Sequence, residues 1–160
     1  MAYQKLQAGL AVNVIPSDTI NIPVPNVAIA GTSQPTSSPT NKLSAPSFDF
    51  IAANVKVGDT VYNRTTTGIA KVLDVEDAGT LLLDANIFNA GGQAFTVYSS
   101  KDHPNQGCVL YVGGDGDLAV VTSSGSEVTL VGIVAGSFIP VQVLRVNATN
   151  TTATNIVALW

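Results

Sequence analysis

Helix-forming residues are spread too thinly in this chain to support a long helix. Glutamate occurs only at Glu76 and Glu127, and 14 glycines and 8 prolines, with many Thr and Asn residues between them, interrupt almost every run. A long helix needs Ala, Leu, Glu, Lys, Gln and Arg at a spacing of about 3.6 residues. Short helical turns are expected only at 48–54 and 84–88. The remainder reads as short β-branched and apolar runs bounded by turn residues, the pattern of a sandwich or barrel.

The runs fall into zones. Residues 1–30 are an apolar arm that also supplies the first strand of the C-terminal sandwich; it holds Pro16, Pro23 and Pro25 and is extended because proline fixes its own φ and restricts its predecessor. Residues 31–47 are a Ser/Thr/Pro linker. Residues 48–98 read as an inserted small β-barrel. Gly58-Asp59 there is a turn signal between 55–57 and 60–62, and further strands are expected at 69–75, 80–83 and 94–98. A second linker, 99–107, leads to 108–160, with strands at 108–112, 118–122, 127–131, 138–146 and 156–160. Pro140, inside the longest of these, argues for an edge position or a bulge. The fold class is therefore all-β: a small, jelly-roll-like β-sandwich built from the N-terminal segment and the C-terminal unit, interrupted by the small barrel.

Charge narrows the function. Charged residues make up 11% of the chain, less than half of the ~25% usual in soluble domains. So little charge leaves a surface weakly defended against association, and predicts that much of it lies against other subunits. The seven basic residues stand singly and the net charge is −4. Nucleic-acid binding needs several cations converging on one backbone, so none is expected. No apolar run is long enough to span a membrane as a helix, and the N-terminus lacks the pattern of a secretory signal. Synthesis in a cytoplasm follows, and the sequons at Asn63, Asn147 and Asn150 then carry no meaning. The lone cysteine, Cys108, heads an apolar run where a buried, inert thiol is expected.

Val109–Val121, VLYVGGDGDLAVV, is the one stretch resembling a ligand motif. A dinucleotide fingerprint would need a helix after the glycines, to turn its amides toward the pyrophosphate, and 118–122 is β-branched instead. A calcium loop counted from Asp115 finds Asp117 at its third position but Ala119 at the fifth and Ser126 at the twelfth. A one-turn cation site completed by carbonyls stays open. The favoured reading is a glycine-rich hairpin turn whose two aspartates keep it in water.

His103 is the only histidine, so a two-histidine metal site is excluded. Ser99, Asp102 and His103 lack a nucleophile elbow, and Asp74 with Glu76 reads as a strand face running into a turn. No enzymatic constellation, cofactor or metal is expected.

A resemblance is carried by Leu110-Tyr111-Val112-Gly113, Gly116-Asp117-Leu118-Ala119-Val120, Val128-Thr129-Leu130, the stretch from Ala135 to Val143, Arg145-Val146, and 151–159. With the upstream Pro16-Ser17-Asp18-Thr19, this series resembles the small virion proteins of tailed phages and gene-transfer agents known as the head-spike base family. The chain departs from the single-domain pattern by a long insertion. Asn41-Lys42-Leu43, 55–63 and 84–88 of that insertion are similar to a small β-module of other phage structural proteins. The resemblance implies a virion structural protein: a capsid decoration (cement) or spike-base subunit, made in a bacterial host's cytoplasm and seated on the capsid surface. It would act as a homo-oligomer, a trimer or pentamer, bound to the major capsid protein and in some placements to a fibre or spike protein. The alternatives are a neck or tail structural protein, and a host-surface glycan-binding module using Tyr62, Phe95 and Tyr98 of the barrel. The N-terminal arm is expected to lack a local partner strand, so Tyr3, Leu6, Leu10, Val12 and Ile15 are the candidate interface residues.

Overall fold

The computed structural model describes residues 8–35 and 41–160, and among these there is no helix. The protein is all-β and sandwich-like, with two antiparallel sheets. Its first seven strands are β1 (Ala11–Asn13), β2 (Val27–Thr32), β3 (Lys42–Ser44), β4 (Thr60–Asn63), β5 (Gly68–Asp77), β6 (Thr80–Leu83) and β7 (Ala94–Tyr98). The other five are β8 (Cys108–Gly114), β9 (Gly116–Thr122), β10 (Glu127–Ile133), β11 (Ser137–Val146) and β12 (Thr154–Leu159). They form two compact units, one from the residues up to Pro25 together with Asn105–Trp160, the other Asn26–Pro104.

The inserted unit has strand order β2-β7-β4-β5-β6-β3. β5 is its corner: residues 68–71 pair with β4 and residues 72–77 with β6, with register shifts at 72–74 and 75–77 in the second stretch. The sheet curls until its two ends meet at a single bridge, Gln34 to Ser44. Inside lie Leu43, Phe50, Val61, Leu81, Phe88 and Phe95. Phe95 meets Phe48 edge-on at 5.5 Å and Phe50 at 5.8 Å, the tilted geometries that ring quadrupoles favour.

The inserted unit departs from expectation in two places. The insert starts at Asn26 rather than residue 48, because 31–47 is not a plain linker: it holds β3, with Leu43 and Ala45 in the barrel core. Residues 55–57 are not a strand either, and Gly58-Asp59 is not the turn of a hairpin. Asp59 is buried and braces a loop, accepting hydrogen bonds from the amides of Lys56 and Lys101. The hairpin is formed by β4 and β5, across Arg64–Thr67.

The other unit has strand order β1-β12-β8-β11-β9-β10. Its long strand β11 serves two half-sheets: residues 137–139, and again Val143, pair with β8, while residues 143–146 pair with β9. Pro140 falls in the break between them, a bulge of the kind its missing N–H requires. Leu110, Val112, Leu118, Val120, Val143 and Ile156 are the buried core residues of this unit.

Candidate interaction surface

The glycine-rich stretch does not form a hairpin. β8 and β9 are not neighbours, since β11 lies between them, and Asp115 carries the chain across from one half-sheet to the other. The glycines are there for close approach. A Cβ on Gly116 (φ +148°) would sit 2.4 Å from the Ala153 nitrogen, and one on Gly114 would sit 2.1 Å from Thr154 Oγ1. Asp115 braces the β10–β11 connection and Asp117 the bulged end of β10. Asp115 Oδ1 accepts from the Ala135 amide, and Asp117 Oδ1 from the Gly132 amide at 2.8 Å. Among the described residues no three His, Cys, Asp or Glu side chains converge as a metal site.

The other chemically suggestive residues are individually engaged. His103 Nδ1 lies 2.8 Å from Asn26 Nδ2, while Asp102 forms an ion pair with Lys56, which holds its carboxyl below the usual range. Ser99, Asp102 and His103 are thus not arranged as a relay. Glu76 pairs with Lys42 at 2.6 Å, and Asp74 caps the Val75 amide. Cys108 is buried, its Sγ 3.2 Å from the Val143 carbonyl, and burial pushes its thiol up to about 11.

The arm supplies a strand of the C-terminal unit, and that strand has a partner within the chain, unlike the expectation that its apolar residues lie on a neighbour. β1 pairs with β12, Val12 opposite Ala158, and the Val14 amide donates to the Ile156 carbonyl. Val12 is accordingly buried in its own unit, Ile15 is half-buried, and Leu10 is 48% exposed. Tyr3 and Leu6 lie outside the described residues. Further along, Ser17 Oγ accepts from the Ile20 amide, and Asp18 takes both the amide and the hydroxyl of Thr149 at 2.9 Å. Those two hydrogen bonds lower the Asp18 pKa.

Asp18 borders a polar cleft of about 380 Å³ shared with Glu127, Thr129, Arg145, Asn147 and Asn150. Arg145 Nε donates to Asn147 Oδ1 at 2.9 Å, and its NH2 group stands 3.7 Å from Glu127. Two carboxylates against one guanidinium leave the cleft mildly acidic, and most of its polar groups already satisfy one another.

A different surface lacks such internal satisfaction. On the outward face of β12, β8 and β11, register aligns Val157, Tyr111 and Phe138 in one cross-strand row, with Leu159 beside Val109 in the next. The Tyr111 and Phe138 rings are 5.2 Å apart, and Phe138 is 65% exposed. β8, β12 and residues 137–142 contain no charged side chain. The first half-sheet therefore has apolar side chains on both faces, as in sheets covered on both sides. The signal was in the sequence: 108–112 and 156–160 are unbroken apolar runs, with none of the alternation of a one-sided strand. Comparison with protein-family models, with curated proteins and with solved structures finds no match to this chain.

Proposed function

We propose that the chain is a structural subunit of a tailed-phage particle, a capsid decoration or spike-base protein that binds the capsid shell as a homo-oligomer. The observation that carries this reading is the uncharged outward face of β12, β8 and β11, with Phe138 standing out of it. An apolar face with an aromatic ring standing out of it suits a contact surface, and a face without charge suits another protein rather than nucleic acid. The sparse charge of the whole chain points the same way. The three barrel aromatics offered for glycan stacking, Tyr62, Phe95 and Tyr98, are buried. That removes the observation on which the glycan-binding alternative stood.

Quantitative mass spectrometry of purified particles tests the proposal. The expected result is a fixed copy number per particle that is a multiple of a ring size. Vertex or face placement on the capsid and placement at the neck or tail then differ in that number. Absence of the chain from washed particles would overturn the reading.

A further inference from the structure

The sheet edge at β10 carries a partner assignment that the outward face does not. Among the described strands β10 pairs with β9 alone, and its side chains are exposed on both faces, Val131 to 77%. Edge strands of monomeric proteins are usually blunted by lysine, proline, shortness or a bulge. β10 has neither lysine nor proline, runs for 7 residues, and is bulged only beyond Leu130, where Gly132 sits at φ +69°. The opposite edge, β1, is only 3 residues long.

The direction of the free backbone groups follows from the ladder. The Thr122 amide donates to the Ser126 carbonyl, while the Ala119 carbonyl turns the other way to accept from Asn147. In an antiparallel ladder this alternation continues, so Val128 and Leu130 bond to β9. Glu127, Thr129 and Val131 then direct their amides and carbonyls outward.

We infer that this edge pairs with β10 of a second copy of the chain, antiparallel about a two-fold axis through Thr129. The inference deepens the proposed oligomeric subunit, making its unit a two-fold dimer in place of the trimer or pentamer that the resemblance implies, and rests on that reading. A two-fold normal to the sheet requires one residue to face itself. Centring on Thr129 engages all three outward-facing residues, whereas centring on Val128 or Leu130 engages only two of them. It places Thr129 opposite Thr129, a favourable cross-strand pair, and Val128 opposite Leu130. It also places Glu127 opposite Val131, so the strand's one charge never meets its own copy, and Arg145 already lies beside it. An isologous contact of this kind uses one patch twice and closes on itself.

The test uses the full chain in analytical ultracentrifugation. Thr129→Lys and Thr129→Glu each set like charges face to face at the axis. Each variant alone should halve the mass of the assembly and raise its dissociation constant roughly tenfold or more, with circular dichroism unchanged. An equimolar mixture of the two should restore the wild-type mass. A monomeric wild type, or variants that assemble as wild type does, would overturn the pairing. A paired protein that is missing from particles would instead sink the virion reading and leave the pairing standing. A strand from a capsid protein on this edge would show as a monomeric wild type that shifts only when capsid is added, which also overturns the pairing.

Discussion

At Gly116 two constraints coincide: a φ of +148°, which L side chains rarely adopt, and backbone atoms of Thr152 and Ala153 less than 3 Å from where a Cβ would stand. Gly125 has only the first, with φ +85° and open space around it. Gly125→Ala should therefore lower stability by the ~1–2 kcal/mol of a left-handed backbone alone, and Gly116→Ala by clearly more. Urea denaturation of the two variants checks the order, and equal losses would refute the crowding account. Asp18 gives a pH dependence of defined sign. Its carboxyl is held below the ordinary value by the amide and hydroxyl of Thr149. The anchoring it supplies is complete above the ordinary carboxylate value and fades as pH falls through the lowered one. An NMR titration should move the Thr149 amide resonance with a midpoint below that of a free aspartate, and Asp18→Asn should abolish the movement.

Among the elements, β11 was the most readable and the β8–β9 connection the least. Pro140 announced a break in β11 because a proline offers no ladder donor, and the register does shift there. Gly113–Asp117 looked like a hairpin because local turn chemistry cannot say which strand lies alongside, and here β11 is interposed. Residues 31–47 resemble a linker for a related reason. Their polar side chains hide a backbone that pairs and two apolar residues, Leu43 and Ala45, that are buried. That the arm joins the C-terminal sandwich is legible, but which strand pairs with it is not, because that partner, β12, is at the far end of the sequence. Within β11 the two halves predict different sensitivities. Val143 lies opposite both Cys108 and Thr122 and is fully buried, whereas Val141 sits in the break and is exposed. Val143→Ala should lower stability by roughly 2 kcal/mol, and Val141→Ala by less than ~0.5 kcal/mol. Equal effects in thermal melts would mean that β11 does not join the half-sheets as described.

For the whole molecule, composition made the all-β class legible, and the punctuation of the chain revealed an insertion. The ends of the insert were not legible, since nothing local marks Asn26 or Pro104 as boundaries. In the fold the Ser99 amide donates to the Asn26 carbonyl at 2.9 Å, and Asn26 Nδ2 reaches His103 Nδ1. The insert thus leaves and returns at one place, the arrangement under which a domain can be inserted or removed without dragging its host. Its core is its own, closed around Phe50, Phe88 and Phe95, and its sheet edges meet at Gln34 and Ser44. Residues 26–104 expressed alone should consequently unfold in one cooperative transition, with amide protection greatest in β7, β4, β5 and β6, the strands paired on both sides. The converse deletion, joining Pro25 to Asn105 by a short flexible linker, should keep β1 paired with β12, because those strands and their core lie wholly within the other unit. If the excised insert is unfolded while the full chain melts as one transition, the two units depend on each other for stability. The insertion would then be an integral part of the fold rather than a module carried by it.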